Sequence, residues 1–207
     1  FHYTGMKKES EAINKLTNIQ SEVSCHYLIK NTGVIVKIVP DLYIAWHAGK
    51  SSWKNHKSLN QNSVGIEITN PGHEFGYKKF SKKQVSSILR LTRFLMKKYK
   101  ISSESILGHS DIAPQRKKDP GEKFPWEYFS KKGIGVWHTL RKQELIKNRR
   151  LKTSKIEKKI FFNNISKIGY SKKNPKDLNK DRYLSNATKA FQRRFRQELI
   201  NSKIDRE

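Results

Sequence analysis

One segment of the chain, residues 108–126, restricts the fold more than any other. It holds three prolines and two glycines in 19 residues, and this content predicts an irregular loop instead of a regular helix or strand. His109 and Asp119 lie ten residues apart within it. An imidazole and a carboxylate that a loop brings together are two of the three protein ligands that a catalytic zinc ion needs. On spacing alone, a proline-rich surface loop with an incidental histidine explains the pattern equally well.

Two residues extend the zinc hypothesis. His2, in the segment 1–4, offers a third ligand. Lys117 lies two residues before Asp119, where its ammonium group could come close to the same metal. The chain opens at Phe1, without an initiator methionine. We therefore expect a processed or trimmed chain, with any targeting segment outside the printed sequence.

The composition indicates a folded and strongly basic protein. A length of 207 residues suits one medium domain, or one domain with a small module, and 35% hydrophobic residues with 11% aromatics argue against disorder. The net charge of +26 favours a polyanion as partner: nucleic acid, anionic lipid or a cell-wall polymer that carries carboxylates. Lysine outnumbers arginine by 33 to 11. This ratio disfavours specific nucleic-acid binding, because lysine lacks the bidentate geometry of arginine.

Cysteine content and hydropathy exclude further classes of protein. Cys25 is the only cysteine, so intrachain disulfides and thiolate-rich zinc sites are excluded. No apolar run approaches the ~20 residues of a membrane span, and no signal peptide is visible. A single cysteine is compatible with the cytosol and with the periplasm.

Short β-rich runs predict the strands of an α/β domain. Residues 26–30 and 33–39 are two such runs, and the Asn-Thr-Gly turn between them predicts a hairpin. Residues 64–69 predict another strand, which ends at a Pro-Gly turn. Strands that precede a long helix and then the 108–126 loop predict a mixed central β-sheet flanked by helices.

Apolar periodicity predicts two helices in this domain. Residues 7–20 carry one apolar face. Ser81 and Gln84 form a capping box that opens a second, longer helix, with lysines in its last turn, where the helix dipole favours positive charge. The apolar positions are Ala12, Ile13, Leu16 and Ile19 in the first helix and Val85, Ile88, Leu89, Leu95 and Tyr99 in the second.

The C-terminal part of the chain has a different pattern. Residues 138–154 are polar and basic, and they predict a linker between a catalytic domain at 1–137 and a small all-α domain at 155–207. A helical linker is compatible with this composition, since these residues include no Gly or Pro. Apolar faces over 156–165 and 187–199 predict two helices there, joined by a Lys/Asn/Asp-rich loop. A generic two-helix appendage is the alternative to a binding module.

Polar residues near the predicted strands suit a cleft. Glu67 lies between apolar neighbours in its strand, where a carboxylate is costly unless it is paired or functional. The alternative is a glutamate on the solvated face of an edge strand. Trp46 and His47 put an indole beside an imidazole in a loop, and Asn62 belongs to a polar stretch before the Glu67 strand. Trp46, His47 and Asn62 are therefore candidate substrate-binding residues.

These segments together resemble the zinc-dependent N-acetylmuramoyl-L-alanine amidases of the type-2 amidase family, which also includes peptidoglycan recognition proteins. The resemblance covers residues 1–137 in the order of the family, and it implies the α/β fold of that family, with a mixed sheet flanked by helices. The matching segments are 2–4, 24–29, 46–49, 62–67, 108–114 and 119–121.

The resemblance implies a role for each candidate residue. His2, His109 and Asp119 match the metal ligands, which leaves the fourth position of Zn²⁺ for a water whose pKa falls to about 7. Glu67 matches the catalytic carboxylate, and Lys117 matches the cation that stabilises the tetrahedral oxyanion. The family has a β-strand immediately before its first ligand, and that strand is absent from the printed sequence. If the strand is missing from the protein, we expect a loosely held His2 and a weakened affinity for zinc.

The C-terminal residues carry a weaker resemblance, to a three-helix peptidoglycan-binding module whose last helix is not in the chain. It rests on residues 168–170, 190–195 and 204–205. Together with residues 133–137 it indicates the bacterial amidases of the outer membrane or periplasm. We therefore expect a periplasmic or envelope-associated monomer instead of a cytoplasmic one, with membrane association through an N-terminal segment outside the printed sequence.

Three hypotheses about function remain. The first is an enzyme that cleaves the amide between N-acetylmuramic acid, intact or in its 1,6-anhydro form, and L-alanine, in wall remodelling or muropeptide recycling. The second is a non-catalytic peptidoglycan recognition protein, which the presence of all three ligands and Glu67 disfavours. The third is a basic nucleic-acid-binding protein, whose binding would depend steeply on salt and not on zinc.

Overall fold

A computed structural model of the chain describes residues 1–171 and 179–207. The strands in these residues are β1 (His2–Tyr3), β2 (Tyr27–Ile29), β3 (Ile35–Lys37), β4 (Ser52–Trp53), β5 (His56–Lys57) and β6 (Ile66–Ile68). Four of them form the central sheet in the order β1-β6-β2-β3, and β4 pairs with β5 in a separate ribbon. β6 pairs in parallel with β1 and β2, whereas β2 and β3 are antiparallel. The predicted mixed sheet and its hairpin are confirmed.

Helices flank this sheet, as predicted. They are α1 (Glu9–Thr17), α2 (Lys82–Tyr99), α3 (His109–Ile112), α4 (Trp126–Ser130), α5 (Lys142–Asn148), α6 (Lys155–Ile168) and α7 (Lys180–Phe195) in the described residues. α5 lies inside the predicted linker. Most of the predicted Lys/Asn/Asp-rich loop between the last two helices lies outside the described residues.

α2 covers one face of the sheet. The Ser81 hydroxyl accepts the Gln84 N–H at 3.2 Å, and the Gln84 side chain accepts the Ser81 N–H at 3.0 Å, so the predicted capping box is confirmed. The helix then buries its apolar face against the sheet, at about 1.5–3 kcal/mol for each large side chain that is fully buried. The core on this side includes Ile29, Ile66, Ile68, Ile88, Leu91, Leu95, Phe124, Trp126 and Phe129.

The other face of the sheet brings His2 and Glu67 together. β1 and β6 pair in parallel with His2 opposite Glu67. Because side chains alternate between the two faces along a strand, both residues leave the sheet on the side opposite Ile66 and Ile68, and paired strands lie only about 4.8 Å apart. His2 is 3% exposed. The expectation of a loosely held His2 is therefore wrong.

The 108–126 segment contains more regular structure than its composition predicted. α3 forms one turn of helix directly at His109, between Gly108 and Pro114. The Asp111 carboxylate accepts the Gly108 N–H at 2.8 Å and so satisfies one of the free donors at the start of the helix. A helix this short fits between a glycine and a proline, so the high content of these two residues in the segment did not exclude it.

The helices α6 and α7 pack against the sheet domain. Their buried residues Ile165 and Ala187 belong to one cluster with Ala48, Trp53 and Ile112. The predicted division into a catalytic domain, a linker and a helical domain stays a prediction. Among the described residues, no helix combines the length and the apolar character that a membrane span requires.

Candidate active site

Three buried side chains converge beside β1. His2 Nδ1 lies 2.8 Å from His109 Nδ1, and each of these nitrogens lies 3.0 Å from Asp119 Oδ2. The backbone fixes this arrangement. The His109 N–H donates to Phe1 O at 3.1 Å, and the Ser110 N–H donates to Asp119 O at 2.8 Å. The loop therefore folds back on itself and places both of its predicted ligands next to His2.

A hydrogen bond to the backbone fixes the tautomer of His109. Its Nε2 lies 3.1 Å from the carbonyl oxygen of Ala48. Since a carbonyl oxygen can only accept, this contact favours the tautomer in which Nε2 carries the ring proton and Nδ1 keeps a free lone pair. The Arg116 guanidinium, which can only donate, also lies 3.3 Å from Nε2 and is the weaker of the two contacts. Hydrogen bonds of this kind orient histidine ligands in metal sites.

A chain of hydrogen bonds fixes the tautomer of His2 in the same way. Ser63 Oγ donates to Leu59 O at 2.5 Å, so it accepts from His47 Nε2 at 3.4 Å. His47 Nδ1 then carries no proton and accepts from His2 Nε2 at 3.1 Å. This order of donors leaves His2 Nδ1 with its lone pair directed at the cluster.

His47 holds its place because its neighbour is a glycine. A Cβ on Gly65 would lie 2.2 Å from His47 Cγ, so a larger residue would displace the ring. Burial, with repulsion from His26, lowers the pKa of His47 to about 3, and the ring is neutral at pH 7. The predicted contact of His47 with substrate stays a prediction. Its hydrogen bonds show that it also supports His2.

The donor set fits a zinc ion. Burial and the neighbouring His109 ring hold the pKa of His2 well below its usual value, so its imidazole is neutral. Burial opposes ionisation of Asp119, but interactions with His109 and His2 bring its pKa below the usual range. Two facing lone pairs and a carboxylate repel one another unless a cation lies between them. Two nitrogens and one oxygen form a ligand set that catalytic Zn²⁺ takes, and this group is also the candidate metal cluster among the described residues.

Glu67 lies beside this cluster as the acid–base candidate. It is 9% exposed, and its Oε2 has no hydrogen-bond partner among the described residues. Burial raises its pKa well above the usual value, the charge of Asp119 raises it further, and the charge of Lys117 acts in the opposite direction. A carboxyl group with a raised pKa and a free oxygen suits proton transfer near neutral pH.

Most of the predicted residues line one open groove of about 690 Å³. Glu67, Asp119 and the half-buried Lys117 line it, together with the exposed Trp46. Asn62 lines a second cavity of about 400 Å³, whose lining also includes His2, His47 and His109. Its predicted role in substrate binding stays a prediction.

Three groups that the sequence did not single out complete the site. The Ala48 carbonyl accepts from both His109 and the Arg116 guanidinium. Asn60 Oδ1 accepts the Ala48 N–H at 2.6 Å and so fixes that loop. A backbone carbonyl leaves no signal in a sequence because every residue has one. For Asn60 and Arg116 the signal was only their position inside the segments already singled out.

A buried cluster of two histidines and an aspartate, next to an unpaired carboxyl group in an open groove, has the composition of a metallohydrolase site. The protein family described as N-acetylmuramoyl-L-alanine amidase matches residues 1–122, more than half of the chain. The chain belongs to this amidase family.

Two relatives are similar to this chain in sequence, one over its whole length and one over about half of it. The N-acetylmuramoyl-L-alanine amidase AmiD of Escherichia coli (strain K12) is 31% identical over 218 aligned residues, which cover 100% of this chain and 77% of the relative. The 1,6-anhydro-N-acetylmuramyl-L-alanine amidase AmpD of Haemophilus influenzae is 39% identical over 111 residues, 53% of this chain and 58% of the relative.

Two solved structures share the fold. A complex of Escherichia coli AmiD with the substrate anhydro-N-acetylmuramic acid-L-Ala-D-gamma-Glu-L-Lys has a TM-score of 0.82 at 30% identity and covers 99% of this chain and 82% of that one. The crystal structure of AmpDh3 from Pseudomonas aeruginosa has a TM-score of 0.83 at 28% identity, with 99% and 84% covered. The fold expected from the sequence, including the C-terminal helices, is confirmed.

Proposed function

We propose that this protein is a zinc-dependent amidase that hydrolyses the bond between N-acetylmuramic acid, including its 1,6-anhydro form, and L-alanine in peptidoglycan or muropeptides. The observation that carries the proposal is the cluster of His2, His109 and Asp119 beside Glu67. His109, Asp119 and Glu67 line one groove, and Glu67 Oε2 has no hydrogen-bond partner among the described residues. The substrate class is supported by AmiD, whose structure contains an anhydromuramyl tripeptide named as its substrate.

The metal ligands are His2 Nδ1, His109 Nδ1 and Asp119 Oδ2. When bound, Zn²⁺ supplies a Lewis acid that polarises a carbonyl group and lowers the pKa of water. The hydrogen bonds from His109 Nε2 to Ala48 and from His2 Nε2 to His47 hold the two rings in the orientation that the ion needs.

Glu67 moves the proton. Its Oε2 accepts a proton from the water that attacks the amide carbon. When the carbon–nitrogen bond breaks, the same oxygen returns that proton to the nitrogen of L-alanine. The products are the carboxylate of the muramyl group and a peptide with a free amino terminus. The burial that raises the pKa of Glu67 is what lets its carboxyl group both take and return the proton near neutral pH.

Lys117 and Trp46 bind the substrate around this centre. Lys117 lines the groove with Glu67 and Asp119, and its ammonium group stabilises the negative charge that develops on the amide oxygen. Trp46 is 44% exposed on the same groove and offers a flat apolar surface for the sugar or the peptide.

The two other functions are less well supported. A protein that only recognises peptidoglycan has no need for a buried Glu67 with a raised pKa beside the ligand cluster, because that arrangement costs stability. A nucleic-acid-binding protein would rely on the lysine-rich surface and would leave the groove unused. Neither function explains why the ring tautomers of His2 and His109 both leave a lone pair at the same point.

The cellular setting is part of the proposal. A substrate of the bacterial wall and the resemblance of the C-terminal residues to a wall-binding module support a location in the periplasm or cell envelope, where we propose that the protein acts as a monomer. No specific nucleic acid takes part.

The test is mass spectrometry of muropeptides after incubation with the purified protein. We expect the zinc-loaded protein to release peptides with a free L-alanine amino terminus, a chelator to stop the release, and added Zn²⁺ to restore it. Intact muropeptides after incubation with zinc-loaded protein would favour the recognition protein. Release that continues in chelator would contradict the zinc mechanism. A DNA-binding assay over a range of salt concentrations tests the third function.

A further inference from the structure

A buried ion pair links the C-terminal helices to the metal-binding loop. We propose that Arg194, with Tyr170, is a positioning residue that holds the ligand His109 in place through Asp111. The C-terminal region is then part of the metal site's framework, whether or not it also binds wall. The consequence for zinc affinity rests on the proposed function, whereas the effect on the loop does not.

Asp111 is the residue of α3 that accepts the hydrogen bonds from Arg194 and Tyr170. It lies two residues after His109 in α3 and is 1% exposed. Its Oδ2 accepts from Arg194 at 2.6 Å as well as from the Gly108 N–H, and its Oδ1 accepts from the Tyr170 hydroxyl at 2.7 Å. Tyr170 follows α6, and Arg194 belongs to α7. The carboxylate is therefore fully engaged in joining α3 to the C-terminal helices.

Arg194 contacts the chain on both sides of His109. One terminal nitrogen of its guanidinium bonds Asp111, and the other donates to Ile106 O at 3.1 Å. Its planar group lies 3.9 Å from the centre of the Trp126 ring, which holds the guanidinium in one plane. The rigid fork thus spans residues 106–111, with the metal ligand between its two contacts.

Helix α7 and the residues after it also form hydrogen bonds with the rest of the 108–126 segment. Gln115 donates to Tyr183 O at 3.1 Å and accepts from Asn186 at 3.0 Å. Gln197 donates to Phe124 O at 2.7 Å. The segment that carries both His109 and Asp119 is therefore attached to the C-terminal region before, between and after these ligands.

Apolar packing supports the link. The Tyr170 ring meets the Trp53 ring edge-on at 5.1 Å, and Ala187 and Ala190 share a buried cluster with Ile112. A binding module that is only tethered by a linker needs no buried charge pair against α3, because burying two charges is costly unless the geometry is well satisfied. Here both terminal nitrogens of Arg194 and both oxygens of Asp111 are paired, and only Arg194 Nε has no hydrogen-bond partner among the described residues. This pairing lies at the metal-binding loop.

Arg196 provides a matched control. It lies at the end of the same helix, is 8% exposed, and pairs with Asp205 at 2.7 Å and Glu207 at 3.2 Å. Its described polar contacts beyond α7 all lie within residues 199–207. Arg196→Gln therefore breaks a buried ion pair of the C-terminal region without touching the loop.

The experiment compares Arg194→Gln with Arg196→Gln in two measurements. The first is hydrogen–deuterium exchange of residues 106–119 in metal-free protein, which reports local opening. The second is the zinc dissociation constant from chelator competition. For Arg194→Gln we expect faster exchange and about 10-fold or more weaker zinc binding, the usual cost of losing a supporting contact. For Arg196→Gln we expect a lower Tm with neither change.

Arg194→Gln with wild-type exchange and zinc affinity would overturn the proposal, and so would equal changes in Arg196→Gln. If Arg194→Gln does not fold, Tyr170→Phe replaces it, since it removes only the hydroxyl group. A several-fold change in the same direction is then expected, and no change overturns the proposal. If the wild-type protein binds no zinc, the zinc function fails, and exchange in metal-free protein still decides whether Arg194 holds the loop.

Discussion

Two buried aspartates lie eight residues apart in one loop, and their surroundings are opposite. Asp111 forms an ion pair with the guanidinium of Arg194, and its carboxylate also accepts hydrogen bonds from the Gly108 N–H and the Tyr170 hydroxyl. Asp119 faces the two imidazoles of His2 and His109, and its described ion-pair contacts are with these rings alone. The comparison teaches that burial does not by itself mark a functional carboxylate. The mark is a buried negative charge without a permanent cation, which leaves the position of the cation to a metal.

The largest expected effect comes from removing each charge in turn. Asp119→Asn should abolish zinc binding, measured by elemental analysis, because a neutral amide is a poor replacement for a carboxylate ligand. In metal-free protein, Asp111→Asn should lower the free energy of unfolding by about 3–5 kcal/mol, since it leaves the buried Arg194 unpaired. Denaturant unfolding with chelator present measures this, and Asp119→Asn should change it by less. Stoichiometric zinc in Asp119→Asn would break the comparison.

The second prediction separates chemistry from metal binding at the Asp119 side of the comparison. Glu67→Gln keeps the size of the side chain but removes its capacity to accept a proton. We expect unchanged zinc content and a loss of turnover of roughly 10²-fold or more, the usual contribution of a positioned acid–base group. Steady-state kinetics on a soluble anhydromuramyl peptide measures it. Near-normal turnover would mean that Glu67 is structural, as Asp111 is.

The third prediction concerns Lys117, a cation that lines the groove together with Asp119. Lys117→Ala should lower kcat with little change in KM, by about 2–4 kcal/mol of activation free energy, because the ammonium group acts on charge that exists only in the transition state. Kinetics over a range of salt concentrations is the check. If KM rises instead and added salt mimics the substitution, Lys117 only attracts acidic wall peptides.

The smallest effect is expected at a third aspartate, which extends the comparison outside the loop. Burial opposes the ionisation of Asp41, but hydrogen bonds from Lys98, Tyr27 and Lys37 hold its pKa below the usual range. A carboxyl group of this kind stabilises the fold above its unfolded pKa and loses that contribution as the pH falls. Asp41→Asn should lower the Tm at pH 7 by about 2–4 °C.

The pH dependence is the control for that prediction. The difference in Tm between wild type and Asp41→Asn should shrink as the pH falls below about 5, because the unfolded wild-type chain then takes up a proton at Asp41 whereas the folded chain keeps this carboxylate ionised. Thermal unfolding followed by circular dichroism between pH 7 and pH 3 measures it. A difference that is constant with pH would assign the effect to lost packing and not to charge.

Local signals explain how much of the fold was predictable. The capping box at Ser81 and the turn before Gly33 specify their elements within a few residues, so α2 and the β2–β3 hairpin follow from the sequence. α3 was missed because one turn of helix, closed by Asp111, has no periodicity to detect. The residues of the catalytic cluster were found through short segments that match a family. Their spacing alone left a surface loop equally acceptable.

Long-range contacts explain what was not predictable. Arg194 and Asp111 are 83 residues apart in the chain, and an arginine among many basic residues gives no sign of its partner. The Ala48 carbonyl gives no sequence signal either, because its hydrogen bond to His109 comes from the main chain. The sequence therefore revealed the reactive groups, whereas the contacts that orient them required the three-dimensional structure.

The pairing of His2 with Glu67 across β1 and β6 has an evolutionary consequence. The distance between the proposed metal ligand His2 and the proposed acid–base residue Glu67 is set by main-chain hydrogen bonds, which substitutions of side chains leave intact. Exposed residues of the groove, such as Trp46 and Glu74, lie outside that pairing. Substitutions of these exposed groove residues can therefore change the preference for one wall fragment over another during evolution. The reaction itself would stay the same.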